Sequence, residues 1–210
     1  MEFYLILCDI GNSFYHFFDT DKSLVFDISV SKEVEIEAEK IYFISVNEMA
    51  TKKLQKSYNL IDLSKYIDFK TKYIGLGIDR AFASISIKDG VIVDAGSAIT
   101  VDLMQDSKHL GGFILAGVSS YRESYKKISD KLDFDFNRDI DLDKIPLSTQ
   151  DAITYASIKS IKLIIEDFAK DKKIYFTGGD GEFLSKFFEN GSFDKNLLFK
   201  GMQRVIENSL

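Results

Sequence analysis

The chain has no tryptophan, one cysteine, one proline and two histidines in 210 residues. The lone Cys8 excludes an intrachain disulfide and any cysteine-built metal cluster. It closes an apolar run, the usual setting of a buried structural thiol. With Pro146 the only proline, breaks between elements must come from Gly, Asn and Asp. Positive charge is in short supply too. Lys and Arg number 27 against 33 Asp and Glu, for a net charge of -6 and a pI near 5.1. That excludes non-specific binding to nucleic acid or to an anionic membrane as the main role. It leaves room for an anionic ligand, because local backbone dipoles outweigh the net field. No stretch approaches the ~20 apolar residues of a membrane span. The opening MEFYLILCDIGN lacks the basic flank of a signal peptide. A soluble cytoplasmic protein is expected. What is abundant is Phe (18), Tyr (10) and hydrophobic residues at 45%, enough to build one large domain or two small ones.

Phe3-Tyr4-Leu5-Ile6-Leu7 reads as a buried strand and Phe14-Tyr15-His16-Phe17-Phe18 as a second, joined by Asp9-Ile10-Gly11-Asn12-Ser13. This spacing predicts a hairpin. Two readings of the turn stand side by side. Asp, Asn, Ser and Gly are ordinary turn residues. Equally, a Gly turn lets backbone N–H groups approach a phosphate, and the Asp can hold the accompanying cation.

Further strands are expected over 23–30, 41–46 and 59–63, with Asn47 capping a helix over 48–57. Gly75-Leu76-Gly77-Ile78-Asp79-Arg80 then leads into a helix expected over 81–87. Asp79 is either an N-cap or a carboxylate set by a glycine loop near an anion site, with Arg80 as clamp. The opening pattern returns at 91–103: strand, Asp94-Ala95-Gly96-Ser97, strand. This internal repeat implies two similarly built halves, expected over residues 1–88 and 89–210, whose turns grip a polyphosphate across a cleft. His109-Leu110-Gly111-Gly112-Phe113-Ile114-Leu115-Ala116-Gly117 is a strand whose glycines mark close backbone approach. Ser120 with Glu123 fits a capping box, and the acidic run 130–143 reads as a solvated loop. Ser148 with Asp151 approximates a capping box for a long helix with a broad apolar face including Ala152, Ala156, Leu163 and Ile164. A strand over 173–177, the turn Gly178-Gly179-Asp180-Gly181 and helices over 182–189 and 196–208 finish the chain.

Five stretches in this order, Asp9-x-Gly-Asn-Ser13, Gly77-x-Asp-Arg80, Asp94-x-Gly-Ser-Ala-x-Thr-x-Asp102, Gly111-Gly-x-Ile-x-x-Gly117 and Thr177-Gly-Gly, resemble the type III pantothenate kinases. The resemblance spans nearly the whole chain. It implies an α/β fold of two ribonuclease-H-like halves, as in the actin and sugar-kinase superfamily, with mixed sheets flanked by helices. It implies a homodimer that uses ATP, Mg²⁺ and a monovalent cation, K⁺ or NH₄⁺, to phosphorylate pantothenate in the first step of coenzyme A synthesis. By the same resemblance Asp79 is the general base. Asp9, Ile10, Gly11, Asn12, Ser13, Phe14, Tyr15, His16 and Ser97 bind ATP. Tyr73, Gly77, Ile78, Asp79, Arg80 and Thr149 bind pantothenate. Asp94 holds the monovalent cation, and Asp9 holds Mg²⁺ directly or through water. Departures are Ser13 and Ser97 where Thr is frequent, which keep the hydroxyl, and Ala116 where Pro is usual. Two other functions share this fold: a non-catalytic regulator, and a different phosphotransferase or a polyphosphate hydrolase.

Overall fold

A computed structural model describes residues 5–209. Phe3 and Tyr4 of the first expected strand lie outside the described residues. The chain divides into two compact units. One comprises Met1–Lys70, Ile74–Ser86 and Asn196–Leu210; the other comprises Thr71–Tyr73 and Ile87–Lys195.

The first unit opens with β1 (Ile6–Ile10), β2 (Phe14–Asp19), β3 (Leu24–Ser29) and β4 (Lys40–Ser45), then α1 (Glu48–Leu54), β5 (Asn59–Asp62) and α2 (Ile78–Ile85). Its sheet runs β3-β2-β1-β4-β5. The β1–β2 and β2–β3 pairs are antiparallel hairpins, and β4 and β5 join parallel. The second unit contains β6 (Gly90–Ala95), β7 (Ala98–Gln105), β8 (Lys108–Ala116), α3 (Val118–Ile128), α4 (Thr149–Ala169), β9 (Ile174–Thr177), α5 (Gly181–Ser185) and β10 (Gly191–Phe193). Its sheet runs β10-β9-β6-β7-β8, the same order reversed in listing, with the same senses of pairing. The two Asp-x-Gly turns therefore occupy equivalent places, each joining the central strand to its antiparallel neighbour. Of the described residues, none belongs to a helix long and apolar enough to cross a membrane.

Strand alternation sorts the first core. Ile6, Cys8 and Ile10 of β1 pack with Tyr15, Phe17 and α1 on one face. Leu7 packs on the other face with Ile44, with Phe82 of α2, and with Leu198, Phe199, Met202 and Val205 of the last helix, α6 (Leu197–Ser209). Sequence division at residue 88 would assign α6 to the second half. It clusters with the first unit because its apolar stripe is buried there, each such side chain contributing about 1.5–3 kcal/mol. In the second unit Val91, Val93 and Ala95 of β6 pack against Ile158, Ile161 and Ile165 of α4.

Several local expectations are corrected. Helix α2 begins at Ile78, not 81, because Gly77 is its N-cap with extended backbone. Helix α3 begins at Val118 with Gly117 as N-cap, so the Ser120–Glu123 box does not form. The acidic run is not wholly solvated: Leu142 is buried, and Phe136 and Ile140 pack on the core. Helix α5 is only a short turn, and β10 occupies part of the segment after it. On α4, Ala152 and Ala156 are exposed, as are Leu163 and Ile164.

Candidate active site

The first turn is a tight connection. Gly11 N–H donates to the Phe14 carbonyl at 2.9 Å, closing the β1–β2 hairpin. Asn12, Ser13 and Phe14 are exposed, while Ile10 and Tyr15 are fully buried. The Tyr15 hydroxyl donates to the Ala50 carbonyl at 2.9 Å, and burial pushes its pKa up. Ile10 and Tyr15 thus have only backbone to offer a ligand. His16 is half-buried and its Nδ1 lies 2.7 Å from Asp27 Oδ1 on β3. Asn47 caps α1 by accepting the Ala50 N–H and turns its amide toward the Gly11 and Asn12 carbonyls. The cap was legible in the sequence; its second use in bracing the turn was not. Cys8 is buried, and burial with the negative charge of Asp9 pushes its thiol well above the ordinary range. It is a neutral packing group.

Asp9 alternates with Cys8, so it lies on the Leu7 face of the sheet, the face that α2 covers. Asp79 sits in the first turn of that helix and is half-buried. Its Oδ1 accepts the Arg80 N–H at 2.8 Å. The carboxylate folds back over the helix start, and a Cβ at residue 77 would stand 2.5 Å from its Oδ1. Free N–H groups at a helix start favour a negative group there. Ile78 is half-buried and Arg80 is buried beside it. Asp9 and the Gly77–Arg80 start of α2 belong to the same unit.

In the second unit Asp94 is the penultimate residue of β6, paired with Thr100 on β7 and Thr177 on β9. Gly96 and Ser97 form the exposed turn, and the Gly117 N–H at the start of α3 donates to the Ser97 carbonyl at 3.2 Å. Gly178 adopts a left-handed φ of +82°, and a Cβ there would collide with Asp94 Oδ1 and the Ala95 carbonyl. Asp94, Ala95 and Gly178 are thus in close contact. Asp180 N–H donates to the Ala95 carbonyl at 2.9 Å, and Asp180 Oδ1 accepts from Arg138 at 2.8 Å. Arg138 also stacks over Phe183. Sequence reasoning missed Arg138, whose only signal was a cation inside an acidic run.

Thr149 is exposed as the first residue of α4. Ser148 caps this helix by accepting the Asp151 N–H at 3.1 Å and donates its hydroxyl to Asp151 Oδ2. Hydrogen bonds from Asn137 and Ser148 hold the Asp151 carboxyl below its usual pKa. Tyr73 is half-buried and its ring lies against His109. His109 is joined to Asp102 and Thr71, a cluster the sequence left as incidental.

Among the described residues, no group of three or more His, Cys, Asp or Glu side chains could hold a metal ion. Mg²⁺ in a phosphotransferase needs one or two carboxylates, the rest of its shell being water and phosphate. Asp9, half-buried just before the exposed residues Asn12 and Ser13, fits that demand. A monovalent cation takes oxygen ligands, and the Asp94 carboxylate beside the Ala95 carbonyl has the right donor chemistry.

Residues 44–171 match the family model for type III pantothenate kinase. A type III pantothenate kinase of Campylobacter hominis is 48% identical over 205 residues, covering 97% of this chain and 98% of that protein. A crystal structure from Campylobacter jejuni, provisionally described as a conserved Baf family transcriptional activator, is 46% identical with a TM-score of 0.87, covering 97% of this chain and 98% of that one. A structure from Sinorhizobium meliloti, provisionally described as a 2-dehydro-3-deoxygalactonokinase, has 9% identity and a TM-score of 0.58 over 98% of this chain and 96% of that one. At that identity it shows the fold alone, the architecture of the actin and sugar-kinase superfamily.

Proposed function

The chain belongs to the type III pantothenate kinase family, and from that premise we propose how its residues phosphorylate pantothenate with ATP. The reaction gives 4′-phosphopantothenate and opens coenzyme A biosynthesis. The observation that carries the reading is Asp79, a half-buried carboxylate held over the start of α2, the helix whose Phe82 packs with Leu7 on the sheet face that Asp9 shares.

Asp79 accepts the proton of the primary hydroxyl as that oxygen attacks the γ-phosphorus. The new O–P bond forms as the bond to the β–γ bridging oxygen breaks, and ADP leaves. Positioning and charge neutralisation supply most of the catalysis in such transfers, with the base adding its share. The turn residues Asn12, Ser13 and Phe14, with His16, bind ATP phosphate, and Ser97 offers a phosphate-binding hydroxyl. Gly77, Ile78, Arg80, Tyr73 and Thr149 bind pantothenate. Asp9 would hold Mg²⁺, which when bound neutralises phosphate charge. Asp94 would hold K⁺ or NH₄⁺, which adds fixed positive charge near the phosphates. A homodimer is supported by Leu110 and Ile114 on edge strand β8, and by Leu163 and Ile164 on α4, all exposed.

The test is ADP release with and without pantothenate, in K⁺ and in Na⁺. ADP release that requires pantothenate and is faster in K⁺ supports the assignment. Release with water alone as acceptor would support a polyphosphate or nucleotide hydrolase. The Campylobacter jejuni relative's description favours one second reading, a regulator on the same fold. No ADP release under any condition would favour it.

A further inference from the structure

The cluster around His109 lies in the second unit and has no role in the chemistry above. The His109 side chain is sealed from water, as is that of Asp102, and His109 Nε2 stands 2.8 Å from Asp102 Oδ1. Its Nδ1 stands 2.6 Å from Thr71 Oγ1. Thr71 Oγ1 in turn accepts the Tyr73 N–H at 3.0 Å. Thr71 also makes an isolated parallel bridge with His109, and the Tyr73 and His109 rings lie 6.1 Å apart, tilted by 58°. Both ring nitrogens are engaged, so the imidazole has one orientation. A hydrophobic pair would fill the same volume at equal or lower cost, since burying a carboxylate carries a desolvation penalty of several kcal/mol. A hydrophobic pair could not fix a hydroxyl, and through it a backbone N–H, in one place. Beyond Tyr73 the chain is open: Ile74 is exposed and Gly75 takes a left-handed φ of +77°. The Thr71 hydroxyl is therefore a fixed point on the N-terminal side of Tyr73.

We infer that Asp102, His109 and Thr71 form a positioning relay that fixes Tyr73 for the acceptor substrate. Asp102 orients His109, His109 orients the Thr71 hydroxyl, and that hydroxyl holds the Tyr73 backbone. The inference rests on the pantothenate kinase reading, in which Tyr73 contacts pantothenate. None of the three touches substrate.

Thr71→Val is isosteric and removes the hydroxyl from both bonds while leaving His109 paired with Asp102. His109→Gln keeps an amide able to donate to Asp102 and accept from Thr71. In Thr71→Val the KM for pantothenate should rise about five- to tenfold, the scale of one lost hydrogen bond. The kcat and the KM for ATP should change by less than about twofold, since the relay acts on acceptor placement alone. Amide hydrogen exchange across residues 71–77 should quicken. His109→Gln should fall between wild type and Thr71→Val, and the double variant should be no worse than Thr71→Val alone. A folded Thr71→Val chain with unchanged pantothenate KM overturns the relay, whether or not its exchange quickens. Equal rises in the KM for ATP and for pantothenate also overturn it. A wild-type chain that releases no ADP with pantothenate is a different result: it removes the kinase reading, and the relay's purpose with it.

Discussion

Replacing Asp79 with Asn separates its chemical role from its structural one. Asn keeps an Oδ1 that accepts the Arg80 N–H, the 2.8 Å bond that holds the side chain over the start of α2. What it loses is the negative charge at the helix start, worth about 0.3–1 kcal/mol at a partly exposed site. For a chain of this size that is a Tm fall of less than about 4 °C. The same change removes a proton acceptor. Loss of a general base costs roughly 10²–10⁴ in rate, or about 3–5 kcal/mol of barrier. Phosphoryl transfer leans more on positioning than on base strength, which favours the lower end, near 10². The assay is coupled ADP release at saturating ATP and pantothenate in K⁺, with a thermal melt of the same sample, with and without ATP. The expected result is kcat down about a hundredfold, Tm nearly unchanged, and the ATP-induced rise in Tm preserved. A kcat within about threefold of wild type would refute the base assignment. A Tm fall beyond about 10 °C would show instead that the carboxylate's charge holds α2 in place.

The remaining predictions concern other parts of the molecule. Ser148→Ala removes the cap of α4 and should cost about 1 kcal/mol, read as a Tm lower by about 2–4 °C. Gly178→Ala forces a side chain into a left-handed backbone against Asp94 Oδ1. The K⁺ concentration for half-maximal activity should rise about tenfold or more, and an equal loss at every K⁺ concentration would count against Asp94 as the cation ligand. Burial pushes the Asp19 carboxyl up, but the Lys22 and Asp21 N–H groups and the Lys22 ammonium outweigh it and leave its pKa below the ordinary value. Its stabilisation is fully present above about pH 4 and is lost as pH falls through the lowered folded value. Urea melts of Asp19→Asn should therefore show a shallower loss of stability below pH 4 than wild type.

Much of this protein was legible because the signals are local. The Asp9–Ser13 turn lies between two apolar runs, and turn residues with flanking strands specify a hairpin within a dozen residues. Its recurrence at Asp94 announced two alike sheets, and both adopt one topology. Ser148 and Asp151 are three residues apart, so their cap was readable. The roles proposed for Asp9, Asp79 and Asp94 rest on a resemblance; composition and spacing alone left each balanced against a turn or a cap.

Tertiary structure decided what depends on groups distant in the chain. Ser120 and Glu123 have the spacing of a capping box, yet α3 starts at Val118, after an N-cap Gly117 whose N–H is held by the Ser97 carbonyl. Nothing between residues 88 and 196 indicates that α6 packs with Leu7, Ile44 and Phe82, because burial of an apolar stripe depends on which surface it meets. The Thr71–His109–Asp102 cluster joins residues that are separate in sequence and carry no shared motif. Periodicity and turn chemistry are properties of neighbours along the chain, so the sequence by itself determined the hairpins, the repeat and the long helix. Which carboxylate is sealed, which histidine is oriented and which face a helix covers are properties of neighbours in space, and those only the folded structure decided.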